Sequence, residues 1–412
     1  MKKLILASFI LYLPFQLKLS QVLSINLINL FLILLVLIFI FNRNPEAIKP
    51  KFEKPLIIFL IIWALSFMHT LLSPRELIIL EVTKEFKRLV TLILGYFVFS
   101  RCLKTKREIQ FLFYIFLISI VLVGLHTFRN GTIAGPHFAD FKRSSGPFAL
   151  NWSWRGSDIA GGFLAIFTPF IFAYFLLSTK KILKLFSLLG FIICVLGLLT
   201  TYSRGSMLGF SIAAIVVILV SLKRMLKSSR LFSLIILLIL ITVIYNWRYW
   251  MPESVINRVE GTFQESDYED RLSYDQSSLS RLEKWRYGIE VFKSSPIIGV
   301  GFEQAEYYVV SKKRLKGKIG MDVHNAFVKI AAEMGIIGIL AFLWFLWEII
   351  NGSRSLLNTE YIYIGVGFIG CITAFMVVNM FYANFFRDTV VGSFWSVLGI
   401  MTTSKKLVHQ KG

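Results

Sequence analysis

The sequence predicts an all-α polytopic membrane protein of about twelve transmembrane helices, and three observations carry that fold class. Hydrophobic residues make up 56% of the 412 residues, and the mean hydropathy is +0.68. Apolar runs close to the ~20 residues a helix needs to cross a bilayer recur from end to end. Lysine and arginine collect in alternate loops between these runs, the pattern that orients helical membrane proteins. A closed β-barrel is the other architecture that satisfies every backbone group in lipid, but its strands alternate apolar and polar residues. Stretches such as 27–41 and 231–245 are almost continuously apolar instead.

In chain order the expected spans are 3–19, 22–41, 55–72, 88–102, 109–126, 158–178, 182–200, 206–222, 231–249, 324–349, 361–378 and 389–403. The first follows Lys2 and Lys3 as a secretion signal would, yet no small-residue cleavage site follows it and the next apolar run starts at once, so it counts as a span. The first and fourth are short or interrupted. Between the third and fourth, residues 75–88 mix Arg75, Lys84, Lys87 and Arg88 with Glu76, Glu81 and Glu85, the composition of an amphipathic helix lying at the interface.

Topology follows from the basic clusters. A cytoplasmic N-terminus puts Arg43, Lys49, Lys51 and Lys54 inside, then Arg101, Lys104, Lys106 and Arg107, then Lys180, Lys181 and Lys184. Lys223, Arg224, Lys227 and Arg230 follow, then Arg354, and finally Lys405, Lys406 and Lys411. One assignment explains all of them, with both termini inside. The net charge of +21 is then mostly topology signal facing anionic headgroups, and no nucleic-acid motif accompanies it. Cys102, Cys194 and Cys371 are far apart without CxxC spacing, and the five histidines show no paired ligand spacing.

Three regions result: residues 1–249 with nine spans, a large outer loop over 250–323, and residues 324–412 with the last three spans. The loop holds half of the 24 acidic residues, yet it is small for an independent core and reads as a cover over the bundle. Within it, residues 280–294 have helical periodicity, with Leu282, Trp285, Ile289 and Phe292 on one face and Arg281 and Arg286 flanking it. Ser295-Pro296 ends that helix, and Gly299-Val300-Gly301 reads as a flexible turn. A shorter outer segment, 127–157, is rich in glycine, aromatic and basic residues, among them Arg143, Trp152, Trp154 and Arg155.

Arg204 falls in Tyr202-Ser203-Arg204-Gly205 on the outer side of this map, against the positive-inside tendency, so it needs a reason of its own. Snorkelling to headgroups is one such reason. His324-Asn325 opens the tenth span: asparagine is an ordinary helix cap, whereas a histidine at a bundle mouth can exchange a proton near neutrality. Glu333, about nine residues deeper, faces away from His324 on an ideal helix and reads as a buried structural partner.

Ser203-Arg204-Gly205, then Arg281 with Trp285 four residues on, then 296–301, then His324-Asn325 with Glu333-Met334-Gly335, resembles in its order the O-antigen ligase and polymerase superfamily over roughly residues 145–345. The resemblance implies a GT-C-like membrane glycosyltransferase without metal or cofactor. Such enzymes pass a glycan from a polyprenyl diphosphate to an acceptor hydroxyl at the outer, periplasmic face of the bacterial cytoplasmic membrane. It implies Arg204, Arg281 and His324 as catalytic residues, and the acceptor as a lipid A core, another glycan or a protein. Gly146-Pro147-Phe148 fits the family pattern, but Asn151 followed by Trp152 to Asp158 departs from its spacing.

The chemistry agrees with that expectation. A departing diphosphate needs fixed cations, and guanidinium stays charged while binding two oxygens at once. Arg204 also stands at the start of a helix, whose dipole favours anions. Aromatic faces and polar rims hold sugars, so Arg286, Trp285, Tyr202, Asn325 and Arg155 are the expected substrate-binding residues beside the lipid-linked donor, the acceptor and membrane lipids. A ligase is the first expectation, a polymerase of the same superfamily the second, and a solute transporter the alternative of another class.

Overall fold

The computed structural model describes residues 1–23, 27–43, 50–72, 79–133, 143–149, 154–228, 276–306 and 323–409, together with positions 238, 242, 245, 246 and 256. Among them the regular elements are all helical. They are α1 (Lys2–Leu23), α2 (Ile28–Asn42), α3 (Glu53–Leu72), α4 (Ile79–Cys102), α5 (Lys106–Ile133) and α6 (Trp154–Leu177). α7 (Lys181–Leu199), α8 (Arg204–Ser228), α9 (Gln276–Ser294), α10 (Ala326–Arg354), α11 (Ile362–Phe381) and α12 (Asp388–His409) follow. Short 3-10 turns occupy Gly146–Phe148 and Asn384–Phe386.

Eight of these helices, α1, α3, α5, α6, α7, α8, α10 and α11, are long and apolar enough to cross a membrane, and α2 is apolar but shorter. Each expected span coincides with a helix except the ninth, 231–249, which lies outside the described residues apart from isolated positions, as does most of the loop 250–323. The interfacial helix expected over 75–88 is not separate: from Ile79 onward it is the first part of α4. Val82 and Leu89 are buried, and Arg88 Nε lies 2.5 Å from Asp388 at the start of α12, so this stretch is held to the bundle.

α6 is the most enclosed of the apolar helices and packs against α7, α8 and α11. Its Phe163, Phe167 and Phe170 interlock with Phe116 of α5 and Phe368 of α11 in edge-to-face ring contacts, the arrangement aromatic quadrupoles favour. One end of the bundle gathers the starts of α1 and α5 and the end of α4. There Lys2 pairs with Glu108 at 2.8 Å, Arg101 with Glu53 at 2.6 Å, and Lys106 with Glu360.

The opposite end is shaped by an interruption. α10 breaks at Gly335, whose φ of 68° and ψ of −168° are open essentially only to glycine. Into the gap lies the segment following α9. Val300 N donates to Ala332 O at 2.9 Å, Gly301 N to Glu333 O at 3.1 Å, and Ile336 N to Pro296 O at 2.8 Å. A Cβ on Gly299 would run into the Glu333 backbone, which is why that close approach needs glycine. The expected flexible turn at 299–301 is therefore a pinned strap, because its backbone satisfies helical groups that the kink leaves open. α3 clamps it from the other side: Phe302 N donates to Ser66 O, and the Thr70 hydroxyl to Phe302 O at 2.8 Å. The strap also brings Glu303 to Lys329 of α10, 2.9 Å away, with Glu306 at 3.3 Å and Glu333 at 3.7 Å, so buried charges are paired as they must be.

Candidate functional site

The strapped end of the bundle is where the expected site residues meet. Asp158, a carboxylate in the first turns of apolar α6, is half-buried and accepts from Arg143 Nη2 at 2.6 Å and from the Ser203 hydroxyl at 3.1 Å. Arg143 Nε donates in turn to Thr201 O at 2.9 Å, tying the segment before α6 to the turn between α7 and α8. That turn is tight: Tyr202 has φ of 50°, an unusual value for a residue with a side chain, and Ser203 immediately precedes α8, its carbonyl accepting from Met207 N. Arg204 is the first residue of α8 and is half-buried there.

α9 lies across this group. Arg281 Nη2 sits 3.9 Å from Asp158 Oδ2, so one carboxylate faces two guanidinium groups. Burial lowers the Arg281 guanidinium from its ordinary value, Asp158 pushes it back up, and Arg143 adds to the lowering. Arginine's ordinary value is so high that it stays cationic. Arg286 is exposed, so the structure separates two arginines that helical periodicity leaves equivalent. The packed face of α9 also differs from the expected stripe: Leu282 and Ile289 are exposed, while Gly288 and Val291 are buried. A Cβ on Gly288 would meet Val323 at 2.8 Å, so the absent side chain is what lets α9 reach the residues flanking His324.

The third contributor is the start of α10. Asn325 caps it, its side-chain oxygen accepting from Phe327 N at 3.0 Å and Val328 N at 3.1 Å. Asn325, expected among the substrate-binding residues, thus spends its side-chain oxygen on orienting the helix start. His324 just before it has φ of 53°, a left-handed conformation costing about 1–3 kcal/mol that surrounding packing must hold. Its ring stacks on Tyr382 at 5.3 Å, and the Arg387 guanidinium lies over the same Tyr382 ring at 5.3 Å.

The end of α11 joins the two halves. Trp285 of α9 contacts Phe381 at 6.2 Å, Gly205 beside Arg204 packs on Phe381, and the next residue, Tyr382, carries the His324 ring. Trp285, Gly205 and His324, far apart in sequence, therefore meet at Phe381 and Tyr382, which brings the helix turns that carry Arg281 and Arg204 to the same end of the bundle. Tyr202, in the turn before α8, is buried. Arg155 lies in the first turn of α6, and its side chain, like Trp152, falls outside the described residues. Among the described residues, no three His, Cys, Asp or Glu side chains form a metal-binding group.

Sequence reasoning passed over Arg143, Asp158, Tyr382 and Arg387 as site residues. The signal for Asp158 was present: an ionisable residue in an otherwise apolar helix is a functional candidate by default. For Arg143 and Arg387 the local sequence offers nothing, since only the tertiary fold puts them beside Asp158 and Tyr382.

Fold and site together define a multi-pass helical membrane protein with a cation-rich, aromatic-rimmed site at one end of its bundle. Residues 189–343, which contain Arg204, Arg281, Trp285 and His324, match the family model described as O-antigen ligase, and this bears out the resemblance to the O-antigen ligase and polymerase superfamily. A Rickettsia felis protein assigned as a polysaccharide ligase is 24% identical over 268 residues, 63% of this chain and 60% of that protein. The exopolysaccharide production protein ExoQ of Rhizobium meliloti is 26% identical over 125 residues, 26% of this chain and 27% of that protein. The chain thus spans less than two thirds of the length of either relative.

Proposed function

We propose that this protein is a membrane glycosyltransferase that moves a glycan from a polyprenyl diphosphate to an acceptor hydroxyl at the outer face of the bacterial cytoplasmic membrane, in the manner of an O-antigen ligase. The observation that supports the reading is that Trp285, one helical turn from Arg281, Gly205, next to Arg204, and the His324 ring all contact the Phe381-Tyr382 pair, while Arg281 is held beside Asp158.

In this reading the diphosphate of the donor lies against Arg204 and Arg281. Asp158 fixes Arg281, while its own charge is already offset by Arg143, so the group retains net positive charge for an arriving anion. The start of α8 adds its dipole. The acceptor oxygen attacks the anomeric carbon, the bond from that carbon to the diphosphate oxygen breaks with its electron pair leaving on the diphosphate, and the acceptor proton passes to His324. Preorganised cations stabilise the leaving charge without reorganising at the moment of reaction. Trp285 offers a face for a sugar ring beside Phe381. The reading assigns no metal to the reaction, and it places both termini on the cytoplasmic side and the site on the periplasmic side.

The test is transfer of a radiolabelled glycan from polyprenyl diphosphate to endogenous acceptors in purified membranes, comparing wild type with Arg204→Ala and His324→Ala at matched expression. Loss of transfer with donor consumption also stopped is the expected result. Full transfer in both variants removes these residues from the mechanism, and no transfer by wild type from several donors favours the transporter alternative. One relative is an exopolysaccharide production protein, so product length is read as well. A single added glycan fits ligation, a ladder polymerisation.

A further inference from the structure

The face of α9 turned away from the bundle has an order of its own. Leu282, Glu283, Arg286, Ile289, Glu290 and Lys293 are all exposed. At about 100° per residue Ile289 and Leu282 form one edge of this arc, Lys293 and Arg286 follow, and Glu290 and Glu283 form the other edge. A helix lying in a membrane interface is built this way, with apolar residues at the acyl boundary and basic residues at the headgroups.

The heights of the neighbouring helices decide which edge lies deeper. α10 and α11 pack on each other and are joined by residues 355–361. From that turn α10 rises about 27 Å to Ile336 and α11 about 28 Å to Phe381, each close to the ~30 Å of a hydrocarbon core. The start of α10 at Ala326 stands about 15 Å further out than Ile336. Trp285, one turn from Ile289, rests on Phe381, whereas Tyr287, one turn from Glu283, packs with Val323 and Val328 at the outermost part of α10. The apolar edge therefore lies at the hydrocarbon boundary and the acidic edge beyond it. The turn after α9 continues the apolar edge. Ile297 and Ile298 are 62% and 58% exposed, and the bond from Ile336 N to Pro296 O sets them beside Ile336 and Ile337, where the exposed apolar row of α10 begins. That row runs on through Leu340 and Trp347 along a helix long and apolar enough to cross a membrane.

We propose that α9 and the Ile297-Ile298 turn are seated on the bilayer leaflet at the strapped end, with Leu282, Ile289 and the two isoleucines at the acyl boundary and Arg286 and Lys293 among anionic headgroups. Glu283 and Glu290 then stand in water. Continuity with the lipid-facing row of α10 selects lipid over a second copy of the chain, and the basic strip between apolar and acidic edges matches the order of a leaflet surface. The seat holds the helix that carries Arg281 at headgroup depth, and it stands whichever glycan or acceptor the protein uses.

The experiment places a nitroxide on single introduced cysteines of the full-length protein in nanodiscs of phosphatidylcholine with phosphatidylglycerol. Cys102, Cys194 and Cys371 are buried, which directs the label to the introduced thiol. Ile289→Cys and Ile298→Cys are compared with Glu283→Cys and Glu290→Cys, all at exposed positions that the fold does not need. Collision with oxygen, which concentrates in hydrocarbon, is measured against collision with a neutral nickel chelate, which stays in water. The oxygen-to-nickel ratio is at least about fivefold higher at the two isoleucine positions, as seating ~5–10 Å into the headgroup and acyl boundary requires. Equal ratios at all four positions overturn the proposal. So do isoleucine labels that neither reagent reaches, because these mark cover by protein, whether a second copy or another part of the chain. Arg286→Gln with Lys293→Gln, or discs without phosphatidylglycerol, lower the ratio at Ile289→Cys at least about twofold, and a ratio unmoved by both overturns the headgroup contact.

Discussion

Replacing Asp158 by Asn probes the whole cation group, because the change removes one charge and little volume. Arg143 loses its partner at 2.6 Å while its side chain stays 6% exposed, and stranding a buried charge in this way costs about 3–5 kcal/mol. The new carboxamide keeps an acceptor oxygen, which places the expected loss at the lower end, about 3 kcal/mol. Arg281, 3.9 Å from the carboxylate and 22% exposed, loses an attraction of about 4 kcal/mol on the scale of pairs near a protein surface. Desolvation and relief from Arg143 offset much of that, and a residual of about 1.4–2.8 kcal/mol in positioning means a ten- to hundredfold lower kcat/KM. The assay pairs glycan transfer in membranes at matched expression with thermal unfolding of the purified protein. Asp158→Asn combined with Arg143→Gln strands neither charge, so stability returns while transfer stays low because Arg281 is still unanchored. Wild-type behaviour of the single variant in both assays refutes the reasoning, and recovery of transfer in the double variant shows that Asp158 does not act through Arg281.

His324→Asn keeps a residue that tolerates the left-handed φ of 53° but removes the proton acceptor. kcat falls about 10²- to 10⁴-fold while the unfolding midpoint moves by less than about 2 °C, and a large drop in midpoint instead assigns His324 to stability. Arg281→Lys retains charge but loses the planar fork, so transfer drops about tenfold or more, whereas Arg286→Ala at its exposed position changes transfer less than about twofold. Equal effects of those two variants on transfer kinetics contradict the orientation of α9. Gly335→Ala forces a side chain into a φ of +68° and against the Ile297 carbonyl, so the strap detaches at a cost of about 3 kcal/mol or more. Unchanged thermal stability and unchanged protease resistance at 296–306 show that the strap is not held there.

The legible parts of this protein are those set by local composition. An apolar run long enough for a bilayer has few alternatives to a helix, because every backbone group must find its partner within the segment, and so most helices were visible before any packing was known. Arg204 and His324 stand out for a similar reason: a basic residue that runs against the expected positive-inside pattern and a titratable ring at a helix mouth are local anomalies. The amphipathic face of α9 misled, since Leu282 and Ile289 obey the helical period yet lie exposed, and what packs is the small Gly288 that allows close approach.

By itself the sequence determined the helical membrane class, the positions of most spans, and which arginines and histidine to suspect, because hydropathy, charge and order along the chain are local quantities. Only the tertiary structure decided that Asp158 joins Arg143 to Arg281, that Arg281 is held beside Asp158 while Arg286 is exposed, and that Trp285 and His324 meet at Phe381 and Tyr382. It also decided that the segment after α9 is a strap sewn into the break at Gly335. Those relations depend on which helices lie side by side and how closely. Such distances arise from the packing of residues far apart in the chain, and no pattern within one segment encodes them.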